Sequence, residues 1–146
     1  MDEETRQAAI RLQGLATRLL RLARSSAGDH GLGSAQYSAM AVLHQRGPLP
    51  LVELARAERV THPTMSRVAT GLAKRGLIER IDDPGDRRVR QLGLTPEGRA
   101  LYETISANRV TVTAAILSQL RKETVAELVE AVDRVAGPLE EKLRRD

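Results

Sequence analysis

Residues 51–95 read LVELARAERVTHPTMSRVATGLAKRGLIERIDDPGDRRVRQLGLT, and the fold turns on how that stretch is parsed. Pro50 suits the first turn of a short helix over residues 51–58, because a first-turn amide has no intrahelical partner to lose. Arg59-Val60 is a tight turn, and Thr61 caps a second helix in which Pro63 is harmless for the same reason. Val60, Met65, Val68 and Leu72 make the apolar side of that helix, leaving His62, Thr64, Ser66, Arg67, Thr70 and Lys74 facing out. Gly76 ends it, with Leu77 placed for the hydrophobic contact of a Schellman-type cap. Residues 77–81 and 89–94 then read as strands, and Asp83-Pro84-Gly85-Asp86 between them is turn chemistry. The stretch is therefore helix, turn, helix and a two-stranded hairpin with a charged tip.

Working outward, residues 3–25 are helical by period, with Ala8, Leu12, Leu15, Leu19 and Leu22 on one seam and Arg11, Arg18, Arg21 and Arg24 on other faces. A glycine-rich break spans 25–33. Ser34 is the expected N-cap of a helix running to about residue 46, which buries Tyr37, Met40, Leu43 and either Ala41 or Val42. Gly47-Pro48 stops that helix, and Leu49 adds a brief strand. Thr95-Pro96-Glu97 restarts helix with a cap, a first-position proline and a first-turn acid. This helix runs to about residue 119, and its β-branched middle, Val110-Thr111-Val112-Thr113, weakens the helical pattern. A last helix begins near residue 123 with Val125, Leu128, Val132, Val135 and Leu139 at three–four spacing; Gly137-Pro138 is expected to kink or interrupt it. The terminal seams are narrow and coiled-coil-like, and a 45-residue module does not need them to close. Packing against each other and against a second copy is their economical use.

The composition narrows the chemistry. A chain of 146 residues fits a single domain with an aliphatic core, since there is no Phe or Trp and only Tyr37 and Tyr102 supply aromatic rings. Stacking platforms for single-stranded nucleic acid are thereby nearly absent. Zero Cys excludes disulfides, thiolate zinc sites, Cys nucleophiles and thiol switches. His30, His44 and His62 are scattered, so no metal or cofactor is expected. No nucleophile–base pairing or phosphate-cradling glycine loop supports an enzyme. The acidic start, Met1-Asp2-Glu3-Glu4, lacks the pattern of a secretion signal, and no apolar run approaches the ~20 residues that span a bilayer. A soluble cytoplasmic protein without membrane partners is expected.

Charge points to the partner. The chain carries a formal +4, and residues 59–99 hold nine Lys or Arg against five Asp or Glu, the same excess. A basic middle between near-neutral helices suits a duplex-reading module on a scaffold. The second helix offers His62, Thr64, Ser66, Arg67, Thr70 and Lys74 to a major groove, with Arg67 suited to a bidentate guanine contact. Helix starts at Ser34, with Gln36 behind it, and at Thr61-His62-Pro63 suit backbone phosphates. Arg87 or Arg88 at the hairpin tip can enter a minor groove, Asp86 orienting one of them, with Arg90 following on the strand. Blander roles compete: His62 either contacts DNA or simply occupies an exposed first turn, and Tyr37, Met40 and His44 suit core better than a ligand pocket.

Leu54-Ala55, Thr64-Met-Ser-Arg-Val68, Leu72-Ala-Lys-Arg-Gly-Leu-Ile-Glu-Arg80, Asp83-Pro-Gly-Asp-Arg-Arg88 and Leu94-Thr-Pro-Glu-Gly98 resemble the MarR family of bacterial transcription regulators, over almost the whole chain. The resemblance implies a mainly α winged helix-turn-helix fold with a small β-hairpin wing. It divides the single domain of 1–146 into dimerisation helices (1–33 and 100–146) and a DNA-binding region (34–99). It further implies a homodimer on a pseudo-palindromic operator, usually a repressor, released by a small and often aromatic effector whose identity the sequence leaves open. Thr64, Ser66 and Arg67 match the family's reading-helix positions, and Asp86 and Arg88 its wing pair. Arg59 departs from the pattern, standing at a turn position often filled by a small residue. The competing function is an architectural DNA-binding scaffold with little sequence preference and no effector.

Overall fold

The computed structural model describes residues 1–26, 30–82, 85 and 90–145. The chain forms α1 (Glu3–Ser26), α2 (Ser34–Arg46), β1 (Leu49–Pro50), α3 (Leu51–Ala57), α4 (His62–Lys74), β2 (Ile78–Asp82), β3 (Arg90–Leu94), α5 (Pro96–Leu117) and α6 (Lys122–Arg145). It divides into two compact units, one of residues 28–107 and the other of 1–27 with 108–146. Fold class is as expected: mainly helical, with one small antiparallel sheet.

The unit of residues 28–107 closes around aliphatic side chains. Met40, Leu43, Leu54, Met65, Leu72 and Ile105 are its largest fully buried residues, drawn from α2, α3, α4 and α5. Strand order is β1-β3-β2, with Leu49 opposite Leu92 on one side of β3 and Arg80 opposite Leu92 on the other. Gly93 in β3 lies so close to the Ile81 side chain that an added Cβ would come within 2.6 Å of it.

Helix ends follow local chemistry. Gly47 closes α2 at φ 78, its N–H bonded to the Leu43 carbonyl. At the end of α4, Gly76 takes φ 68; its N–H reaches Ala73 and the Leu77 N–H reaches Leu72, the bond pair of a Schellman cap. Leu77 is buried there, as the pattern predicted. Thr95 caps α5 by accepting from the Gly98 N–H at 2.9 Å, while its own hydroxyl donates to the Gly76 carbonyl at 2.7 Å. Gly98 backs directly onto the Leu77 carbonyl, so closely that any Cβ would overlap it.

Three local expectations are corrected. The N-cap of α2 is Gly33, extended at φ −70 and ψ 160, and Ser34 is the first helical residue. The reason is the position of Gln36: its Oε1 accepts from the Gly33 N–H at 3.0 Å, three residues back as a capping box requires. Counted from Ser34 the corresponding residue would be Tyr37, whose ring cannot make that bond. Pro50 stands at the N-cap of α3 rather than in its first turn. Val60 is 37% exposed, and Ala69 joins Met65 and Leu72 as the buried face of α4. Of the two outcomes expected at Gly137-Pro138, interruption does not occur: α6 carries Pro138 inside it and continues to Arg145. The β-branched run likewise stays helical within α5, where the Thr113 hydroxyl donates to the Arg109 carbonyl.

In the other unit, α1 opens with Asp2 accepting from the Thr5 N–H at 2.7 Å, which holds the Asp2 carboxyl below the ordinary carboxylate range. Leu12, Leu15, Val132, Val135 and Leu139 are each half exposed or more in the single chain. Among the described residues, no helix is long and apolar enough to cross a membrane.

The Thr95–Gly98 junction yields a direct prediction. Gly98→Ala, forcing a Cβ into the Leu77 carbonyl, is expected to cost about 1–3 kcal/mol. Thr95→Ala, losing the cap, should cost about 1 kcal/mol. Urea unfolding reads both, and an unchanged midpoint for Gly98→Ala would refute the close approach.

Candidate nucleic-acid interface

The candidate interface is built on α4 and on how it is launched. The turn before it is a second Schellman arrangement: the Arg59 N–H reaches Arg56 and the Val60 N–H reaches Ala55, with Arg59 at φ 53. Glycine usually fills that slot, and an L side chain there costs roughly 1–2 kcal/mol. The departure at Arg59 therefore leaves the turn's geometry intact, at a local cost. Thr61 is the N-cap as expected, its Oγ1 accepting from the Thr64 N–H at 3.4 Å and lying 2.9 Å from the Thr64 hydroxyl. Pro63 is the second helical residue, where its missing N–H is not needed.

The α4 period then sorts the side chains. Met65, Ala69 and Leu72 are buried, while His62, Thr64, Arg67, Thr70 and Lys74 are exposed and Ser66 is half-buried. α4 packs on α3, α2 and β2, so its outer row is held by contacts on the opposite side. Between that row and the sheet runs a groove of about 540 Å³, lined by Ser66, Thr70 and Lys74 from α4, by Glu79 and Arg80 from β2, and by Arg90 from β3. Arg90 also faces Asp82 across the strands at 4.0 Å, an exposed pair of small energetic weight.

Not every nominated residue lies here. Gln36 is half-buried against α4: its Oε1 caps α2, and a Cβ on Gly71 would meet its Nε2 at 2.8 Å. Ser34 sits in the first turn of α2 beside it. Asp86, Arg87 and Arg88 lie outside the described residues. Arg80 joins the groove without having been singled out. Strand alternation carries the signal, since Arg80 shares a face with the buried Ile78, and α4 packs on that strand. Elsewhere in this unit Tyr37 stacks on Tyr102 at 5.3 Å, and His44 lies 4.6 Å from the Tyr102 ring and 3.3 Å from Glu103. That cluster ties α2 to α5. Among the described residues, no three His, Asp or Glu come together as a metal-holding group.

A helix-turn-helix followed by a hairpin can be compared with known proteins. The MarR family profile matches residues 32–89. The transcriptional regulator FarR of Neisseria gonorrhoeae is 30% identical over 105 residues, covering 67% of this chain and 72% of that protein. The chain belongs to the MarR family. Among other MarR-like relatives, the repressor MdtR of Bacillus subtilis is 29% identical over 131 residues, 90% of this chain and 84% of its own length. The structure of a MarR family protein from Bacillus stearothermophilus superposes with a TM-score of 0.86 over 96% of this chain and 99% of that one; at 19% identity it speaks for the winged-helix fold alone.

For this MarR-family chain the N-cap of α4 is open to test. Thr61→Ala should lower stability by about 1 kcal/mol, and Thr61→Ser should restore most of it, since either hydroxyl can accept from the Thr64 N–H. Thermal unfolding of both variants measures the difference. Equal losses for Ala and Ser would show that the hydroxyl does not act as the cap.

Proposed function

We propose that this chain is a sequence-specific duplex-DNA-binding repressor that works as a homodimer and is released by a small-molecule effector. The observation that carries the reading is the outer row of α4: short polar groups and Arg67 exposed along one side, beside a groove edged by Lys74, Arg80 and Arg90. Short polar side chains with one long cation suit base edges in a major groove, and the flanking cations suit phosphates. Pro63 has no N–H and that of Thr64 is engaged by Thr61, so His62 supplies the first-turn amide for a backbone phosphate. On the sequence motif alone, Arg87 or Arg88 is assigned to the minor groove, with Asp86 orienting Arg88. Ser34 and Gln36 serve the start of α2 first, and a phosphate contact there is secondary. The name of MdtR, a repressor, favours repression over activation here.

Dimerisation is supported by the apolar faces of α1 and α6. Leucines and valines at three–four spacing that stay half exposed in one chain are better covered by a second copy than by water. Two copies would then lay α4 into successive grooves, about 34–36 Å apart. An effector would act by preferring a dimer geometry whose spacing no longer matches those grooves.

Selection of bound duplexes from a random library tests the core of this reading. An inverted repeat with half-sites about one helical turn apart is expected. Enrichment of nothing beyond background would leave an architectural DNA-binding protein as the better description. On the selected operator, Arg67→Ala should lose about 1–3 kcal/mol of discrimination at one base pair. In parallel, Val132→Glu should shift the sedimentation mass from dimer to monomer. A wild-type monomer at micromolar concentration contradicts the dimeric part.

A further inference from the structure

Arg75 belongs to the basic stretch, and its charge invites a phosphate. Its geometry is committed elsewhere. It is the C-cap of α4, at φ −90 and ψ 2, and its side chain turns back to the segment that precedes α2. Nη1 donates to the Gly31 carbonyl at 2.8 Å and Nη2 to the His30 carbonyl at 2.6 Å. Both acceptor residues have positive φ, 44 at His30 and 72 at Gly31, so a tight turn presents successive carbonyls to one planar fork. A guanidinium holds two donors in fixed relation, which a lysine ammonium cannot reproduce.

The same turn leads at once to buried Leu32, to the Gly33 cap and to Gln36, whose amide lies against Gly71 in α4. Two independent contacts thus pin the start of α2 to the last turns of α4. One is the close approach of the Gln36 amide to Gly71; the other is a charged fork. Cationic character at a helix C-terminus also meets the negative end of the helix dipole.

We propose that Arg75 is a positioning residue for the reading helix: it fixes the attitude of α4 against α2, and it contributes to DNA affinity through orientation rather than by neutralising a phosphate. This rests on the DNA-binding reading above. The two roles differ in salt dependence. Each phosphate neutralised adds about 0.9 to the slope of log affinity against log salt, whereas misorientation lowers affinity without changing the number of released counterions.

The test uses the full chain on a selected operator, with affinities measured across a salt series for wild type, Arg75→Lys and Arg75→Ala. Amide exchange of residues 31–37 is followed in the free protein. Arg75→Lys keeps the charge and loses the fork, so it should bind about tenfold more weakly, with the wild-type salt slope. Arg75→Ala should match it in slope, and both variants should exchange faster at the start of α2. Wild-type affinity for Arg75→Lys together with a slope reduced by about one for Arg75→Ala would assign a phosphate contact and overturn the proposal. Unchanged exchange in both variants would overturn it as well. A wild-type chain that binds no duplex at all is a different result, and removes the DNA-binding reading itself.

Discussion

One hydroxyl holds three elements in register. The Thr95 side chain closes α5 by accepting from Gly98, and at the same time donates to Gly76, where α4 has just ended. The Thr95 N–H adds a bond to the Leu77 carbonyl, and Gly98 lies on that same carbonyl with no room for a Cβ. The end of α4, the start of β2 and the start of α5 therefore meet within a few residues. Whatever direction α4 takes, the hairpin and α5 take theirs from it. The groove edged by Lys74, Arg80 and Arg90 exists because this junction sets strand and helix side by side.

The two ends of α4 are treated alike. Left-handed residues stand before and after it, Arg59 at φ 53 and Gly76 at φ 68, each carrying the paired bonds of a Schellman turn. Glycine takes the second at little steric cost, while an arginine takes the first at a cost. The charges around α4 divide by duty. Lys74 faces the groove, whereas its neighbour Arg75 is engaged with two backbone carbonyls. Net charge alone therefore overstates how many cations are available to a polyanion.

Much of this was legible from residue order. Thr61, Gly47, Gly76 and Thr95-Pro96 signal helix ends through chemistry that acts within four residues, and each sits where that chemistry requires. The outer row of α4 followed from its period, although Val60 and Ala69 exchanged roles. That exchange reflects tertiary packing: a small Ala fits where helices approach, and a turn valine stays partly in water. Less accessible were features whose partners lie far along the chain. Nothing near Arg75 announces that His30 and Gly31 will accept its side chain, and Gly33 displaced Ser34 as a cap because of Gln36. Arg80 was hidden among alternating charges until α4 gave its strand an inner face. The hairpin tip at Asp86, Arg87 and Arg88 falls outside the described residues, and its role stays with the sequence motif.

The sheet has a bearing on solubility as well as on recognition. Its outer strand β1 is two residues long, and one of them is Pro50, which offers no amide to a neighbour. The opposite edge, β2, presents Glu79, Arg80 and Asp82, all exposed. Sheet rims with few donors or alternating charge are poor templates for cross-β growth. Copies of this chain can thus crowd together without their sheet edges templating one another.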